Sequence, residues 1–263
     1  MKISVLTENT ASSSEFLFEH GLSLLVETSD RKILFDSGQS DLFSKNAAAM
    51  GIDLKTVDMA VLSHGHYDHG GGLSCFLHLN PKAPVYMSEY AFEPHYNANE
   101  KYIGLDTSTL PNERFLSVSG EITLSNGITI IPWGNEIHSH PIDCASLSVM
   151  ENGQLIPDDF RHEIYMLVEE NGKKILFSGC SHKGILNIVH RFKPDVLVGG
   201  FHFMKLDPNS DGREHLLEQA AQLCAYHTKY YTCHCTGVEQ YELLRSAMGE
   251  KLKYLSAGMV VEL

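Results

Sequence analysis

One stretch of this chain occurs twice. Leu24-Leu-Val-Glu-Thr-Ser-Asp-Arg-Lys-Ile-Leu-Phe35 aligns without gaps on Met166-Leu-Val-Glu-Glu-Asn-Gly-Lys-Lys-Ile-Leu-Phe177. Each copy has two apolar runs around a polar centre, Ser29-Asp30 in the first and Asn171-Gly172 in the second, which is the pattern of a β-hairpin. After each Lys-Ile-Leu-Phe run the pattern repeats again: a polar turn, a helix, and a second apolar strand ending in histidine. That strand is Val57 to His64 in the first half and Asp195 to His202 in the second. A duplication of this kind implies two similar halves. Two sheets packed face to face, each covered outside by helices, would bring both sets of strand ends to one edge.

The remaining pattern fits such α/β halves. Strands are expected at Lys2–Glu8, Pro84–Ser88 and Tyr254–Leu263, with a hairpin in Glu121–Ile131 turning at Asn126-Gly127. Helices are expected at Asp41–Met50, Leu73–Leu79, Lys183–Phe192, Arg213–His227 and Val238–Met248. Residues 89–116 show no sustained period but carry Tyr90, Phe92, Tyr96 and Tyr102. They read as a lid or pocket wall, or as an insertion anchored by its aromatics. No linker or low-complexity block divides the 263 residues, so residues 1–263 are expected to form a single domain.

Charge and cysteine usage narrow the function. The 20 basic and 33 acidic residues give a net charge of −13, which disfavours nucleic acid as a partner. There is no secretory leader pattern and no run of about 18 apolar residues, so no membrane partner is expected and the reading is cytoplasmic. Six scattered cysteines in a chain of this length fit reduced thiols better than a disulfide scaffold.

The chemistry concentrates in Leu62-Ser-His-Gly-His-Tyr-Asp-His-Gly-Gly-Gly72, directly after an apolar run. His64, His66, Asp68 and His69 supply imidazole and carboxylate donors, and the glycines permit a tight turn that converges them on one or two ions. Asp36, leaving the strand of the first hairpin, is either an outer partner that orients a ligating histidine or a turn residue.

His-X-His-X-Asp-His, carried by His64, His66, Asp68 and His69, resembles the signature of the metallo-β-lactamase-fold hydrolases. Phe177-Ser-Gly-Cys-Ser-His182, Gly199-Gly-Phe-His202 and Cys233-His-Cys-Thr-Gly237 are similar to one branch, the dihydropterin-aminobenzene phosphate synthases and their bacterial relatives. The resemblance implies a four-layer αββα sandwich of two pseudo-repeated halves. It also implies a binuclear site with His64 and His66 on one ion and Asp68, His69 and His234 on the other. Many relatives carry a bridging aspartate where this chain has Cys180, so either His182 or Cys180 supplies the missing metal ligand, or one metal position is weak. His138 and His140 are candidates for a further histidine of the first site. A separate zinc knuckle at Cys233 and Cys235 is disfavoured, because on a strand both side chains would point away from His234.

The expected cofactor is a divalent metal, two zinc ions, with iron or manganese as alternatives. Such ions polarise a phosphoryl or carbonyl oxygen and bring the pKa of bound water to about 7. Asp68 would orient that nucleophile, His202 would contact substrate or donate a proton, and Lys205 and Arg213 are candidate phosphate contacts. The expected activity is that of a hydrolase or related transferase on a small-molecule substrate, phosphorylated or ester-bearing, with a pterin-related compound suggested by the branch. The alternative is a non-hydrolytic metal-binding redox or sensor protein on the same scaffold. A homo-oligomer is compatible with the sequence.

Overall fold

The first strand is β1 (Lys2–Thr7), and the first copy of the repeat folds as the hairpin β2 (Ser23–Glu27) and β3 (Lys32–Phe35). Helix α1 (Leu42–Ala49) leads to β4 (Met59–Val61), the short helices α2 (Tyr67–Gly70) and α3 (Leu73–Leu79), and β5 (Val85–Ser88). Next come β6 (His95–Tyr96), β7 (Phe115–Val118), β8 (Ile122–Ser125), β9 (Ile128–Pro132), β10 (Ser148–Glu151) and β11 (Gln154–Pro157). The second copy is β12 (Ile164–Glu170) and β13 (Lys173–Phe177), followed by α4 (Ile185–Phe192) and β14 (Val196–Val198). The chain ends with α5 (Gly212–Cys224), β15 (Lys229–Thr232), α6 (Val238–Met248), β16 (Leu252–Tyr254) and β17 (Val260–Glu262). This computed structural model describes residues 1–125, 127–134, 136–143 and 146–263.

The strands form two seven-stranded sheets, β17-β1-β2-β3-β4-β5-β7 and β16-β15-β14-β13-β12-β9-β8, and a small third sheet, β11-β10-β6. The repeat survives at atomic detail. Leu24 pairs with Phe35 and Val26 with Ile33, as Met166 pairs with Phe177 and Val168 with Ile175. Asp58 accepts the Lys32 amide at 2.8 Å, and Asp195 accepts the Lys174 amide at the same distance.

Strand alternation then builds the layers. Leu24, Val26, Ile33 and Phe35 face Met166, Val168, Ile175 and Phe177 across the space between the sheets. There the equivalent Phe35 and Phe177 rings meet at 5.6 Å. Leu25 and Leu34 turn outward onto Phe43, Ala47, Leu73 and Phe76 of α1 and α3. In the second half Leu176 and Leu197 turn outward onto Ile188, Leu216, Ala220 and Leu244 of α4, α5 and α6. Three apolar interfaces separate four layers, giving the expected αββα sandwich.

Several details differ from the sequence expectation. Tyr254–Leu263 is not one strand: β16 runs parallel to β15 in the second sheet, and the chain then crosses so that β17 pairs antiparallel with β1 in the first. Helix α5 ends at Cys224 rather than at His227. Residues 89–116 are not wholly irregular, because β6 pairs with β10 and Ile103 packs on Leu147 and Phe160. β8 pairs antiparallel with β9, as the expected hairpin requires, but Asn126 of its expected turn, like Cys144, lies outside the described residues. Among the described residues no helix is long and apolar enough to cross a membrane.

Candidate metal centre

Parallel strands put their carboxyl ends together, and here those ends carry the donors. His64, His66, Asp68 and His69 follow β4; Cys180 and His182 follow β13; His202 follows β14; His234 follows β15. Asp36, Ser181, His202 and His234 all adopt left-handed backbone with φ between 50° and 59°. Non-glycine residues rarely do so, which concentrates backbone strain at this edge. Gly179 permits the approach of the two halves: a Cβ there would lie 2.1 Å from Ser63 Oγ and 3.0 Å from His64 Nδ1.

The donor atoms face one another. His69 Nε2 lies 3.2 Å from His234 Nε2 and 3.2 Å from Cys180 Sγ, and His234 Nε2 lies 3.2 Å from Asp68 Oδ2. His64 Nε2 lies 3.3 Å from His182 Nε2, and His66 joins that pair. Cys180 falls between the groups, close to both His64 and His69.

Hydrogen bonds at the opposite ring atoms fix what faces inward. His69 Nδ1 donates to Asp36 Oδ2 at 2.7 Å, and His234 Nδ1 donates to Asn9 Oδ1 at 2.7 Å. Ser63 Oγ donates to Asp36 Oδ2 at 2.8 Å and so accepts from His64 Nδ1, also at 2.8 Å. Each neutral ring therefore presents a bare Nε2 lone pair. Lone pairs repel at such distances unless a cation separates them. Metal–nitrogen bonds of about 2.0–2.1 Å around a tetrahedral ion give ligand–ligand edges of about 3.3–3.4 Å. The residues thus fit divalent metal held by a mixed nitrogen, oxygen and sulfur donor set.

Buried carboxylates hold each donor turn in place. Asp36 Oδ1 accepts the Ser63 amide at 2.7 Å, so this one side chain orients His69 directly and His64 through Ser63. Glu163 accepts the His182 amide at 2.7 Å, the Lys183 amide at 2.9 Å and the Tyr165 hydroxyl at 2.7 Å. Glu8 accepts the His234 amide at 2.6 Å and the Tyr254 hydroxyl at 2.8 Å. Asp158 accepts from His95 Nδ1 at 2.8 Å and faces His162 Nε2 at 3.4 Å, while His162 Nδ1 accepts the Gly65 amide at 2.8 Å. His162 therefore straps the loop between His64 and His66.

The electrostatics follow from burial. The imidazoles of His64, His66 and His182 are pushed well below the usual histidine range by burial, helped by neighbouring rings. Burial lowers His234 to about 4, and burial with the Lys205 charge lowers His202 to about 4. His69 is the exception: burial is outweighed by Asp36 and Asp68, and its pKa is raised. Asp68 is buried too, but the adjacent His69, His20 and His234 hold it well below the usual carboxylate range. Neutral imidazoles and an ionised carboxylate are the ligand-competent forms.

Not every expected residue arrives here. His138 stacks on Trp133 at 5.1 Å, away from every donor cluster among the described residues. His140 donates its amide to Asn187 and lines a side cavity. Arg213 bonds the Pro208 carbonyl and lines neither cavity described below. Cys235 corrects the alternation argument: β15 stops at Thr232, and a 3₁₀ turn over His234–Thr236 brings the Cys235 sulfur within 4.8 Å of the Cys180 and His234 donors. Cys233 does point away, into the core between the sheets. The sequence reading did not single out His20, Asp158, His162, Glu8 or Glu163, because they lie far from the motifs along the chain. His20 Nε2 faces Asp68 Oδ2 at 3.2 Å.

Two cavities open on this edge. One of about 210 Å³ is lined by Asp68, Cys180, His182, His202 and His234, with Asn97 and Ile103 of the 89–116 segment on its wall. A second of about 520 Å³ shares His182, His202 and Lys205 and adds Phe201, Phe203 and His215.

Comparison with known proteins bears on the family and the fold. The model of the metallo-beta-lactamase superfamily matches residues 18–203. The 7,8-dihydropterin-6-methyl-4-(beta-D-ribofuranosyl)-aminobenzene-5'-phosphate synthase of Methanocaldococcus jannaschii is 27% identical over 288 aligned positions, covering 100% of this chain and 96% of that protein. The solved structure of Tm1679, a metal-dependent hydrolase of the beta-lactamase superfamily, superposes with a TM-score of 0.81 at 28% identity over 100% of this chain and 99% of that one. The metallo-beta-lactamase fold protein YhfI of Bacillus subtilis shares the fold, with a TM-score of 0.62 at 16% identity, covering 100% and 98% of the two chains.

Proposed function

Because this chain belongs to the metallo-beta-lactamase superfamily, we propose that it is a metal-dependent hydrolase, or a transferase of related chemistry, acting on a small phosphorylated or ester-bearing metabolite. The observation that carries the reading is the set of inward-facing donor atoms 3.2–3.3 Å apart at a cavity wall. His64, His66 and His182 would hold one ion, Asp68, His69 and His234 would hold a second, and Cys180, close to both His64 and His69, would supply the sulfur donor. Divalent ions held there would polarise a phosphoryl or carbonyl oxygen and lower the pKa of coordinated water. Zinc is favoured by the sulfur donor.

The protein's own groups do the rest. Asp68 is ionised and accepts a hydrogen bond from an incoming nucleophile, fixing its direction. His202, in ring contact with His182 at 4.4 Å and facing both cavities, is neutral near pH 7 and stands where it would contact the substrate. Phe201 and Phe203 offer an apolar wall and His215 and Lys205 polar ends, which suits an organic body with an anionic group. Similarity to the archaeal synthase makes a pterin-related or aminobenzene phosphate compound the first substrate class to test.

The test is metal analysis of the purified protein beside assays on phosphodiester, phosphomonoester and lactone substrates. The expected result is about two divalent ions per chain and metal-dependent turnover, both lost in His66→Ala. Turnover that persists in a metal-free His66→Ala protein would refute the mechanism. Bound iron with a visible spectrum and no turnover would support a redox or sensor role instead.

A further inference from the structure

Cys180 and Cys235 come from different strand ends, β13 and β15, with the exit of β14 between them. Their sulfur atoms nevertheless lie within 4.8 Å of each other. Gly200 makes the space: a Cβ there would sit 2.3 Å from Cys235 Sγ. The Cys235 thiol donates to the Cys180 carbonyl at 3.5 Å, so its side chain is already turned toward that residue. Both cysteines are free, and both line the cavity of about 210 Å³ through which a small oxidant can reach them. Asp68, His69, His234 and Cys180 already converge on one another without Cys235.

We propose that Cys180 and Cys235 form a peroxide-sensitive thiol pair whose oxidation to a disulfide withdraws Cys180 from the metal centre. The inference rests on the assignment of Cys180 as a ligand made above. Hydrogen peroxide is the oxidant. The Cys235 sulfur attacks its O–O bond, giving a sulfenic acid and one water. The Cys180 sulfur then leaves the centre, attacks the sulfenic sulfur and expels hydroxide, which takes up a proton as the second water. Two thiols are oxidised and one peroxide is reduced. The sulfurs close from within 4.8 Å to a bond of about 2.0 Å. The second centre keeps Asp68, His69 and His234 but loses its soft donor, and zinc affinity falls with it.

The experiment uses the zinc-loaded protein, treated with hydrogen peroxide and examined by non-reducing peptide mapping, with a chromophoric chelator reporting released zinc. The expected result is a Cys180–Cys235 cross-linked peptide and release of about one zinc per chain, both reversed by dithiothreitol with added zinc. Cys235→Ser, with Cys235→Ala as its companion, should form no cross-link and keep its zinc at the same peroxide dose. Intact thiols at saturating peroxide, a sulfinic acid on Cys180 without the cross-link, or equal zinc release from the Cys235 variants would each overturn the proposal. Failure of the underlying assignment would be distinguishable, because the Cys180–Cys235 cross-link would then form without release of zinc.

Discussion

Asp36→Asn is the sharpest probe of how the centre is held. The carboxylate is buried and accepts three hydrogen bonds, from the Ser63 amide at 2.7 Å, the Ser63 hydroxyl at 2.8 Å and His69 Nδ1 at 2.7 Å. Asparagine keeps the shape but has one acceptor oxygen. Turned toward His69 and the Ser63 hydroxyl, it sets its NH₂ against the Ser63 amide; turned the other way, it sets NH₂ against both of the others. A buried donor left without an acceptor costs about 1–3 kcal/mol, so the metal-free variant should unfold that much more easily in urea. The larger effect is expected on binding. Asp36 orients His69 directly and His64 through Ser63, one donor for each proposed ion, and loss of such an outer partner weakens metal affinity about 10–100-fold. Zinc competition against a chromophoric chelator reads this, with the urea midpoint of the metal-free protein as the folding control. Ser63→Ala should weaken only the group containing His64. Zinc affinity of a folded Asp36→Asn protein within about threefold of the parent, under about 0.7 kcal/mol, would refute the reasoning.

Cys180→Asp should retain metal but lower the preference for zinc over manganese, measured by competitive loading, because an oxygen donor replaces the soft one. Gly179→Ala should drive a methyl group against Ser63 Oγ, destabilising the fold by about 1–3 kcal/mol and weakening the His64 group, read by urea unfolding and metal content. Phe177→Ala should cost about 3–5 kcal/mol in the same unfolding assay, since its ring fills the space between the sheets against Phe35. The metal-free protein should lose stability as the pH falls from about 6.5 toward 4. Over that window the unfolded chain takes up protons at His64, His66, His182, His202 and His234 while the folded chain, with those rings held low, does not. His69, raised in the folded state, opposes the trend, as do Glu8 and Glu163, whose carboxyls burial raises. A urea midpoint that rises on acidification through this range would contradict the assignment.

The sequence by itself carried whatever is written locally along the backbone. The duplicated Lys-Ile-Leu-Phe hairpins show their alternation in consecutive residues, so two like halves, and with them the facing sheets, were legible before any coordinates. The clustering of His64, His66, Asp68 and His69 was legible because six consecutive positions after a strand cannot avoid one another. Tertiary structure alone decided which distant groups support them. Glu8 reaches the His234 amide and Gly65 reaches His162 across the join between the halves, encounters that depend on how the two sheets are layered and in what register. The same holds for Cys235. Period-two reasoning placed it away from His234 by assuming that the strand continued, but the turn over His234–Thr236 reverses it toward Cys180. A side chain's direction follows from its neighbours in sequence only while the backbone stays regular. This centre is built where the strands end, so its donors were legible, and of their outer partners only Asp36, at the tip of a strand in the repeat, was.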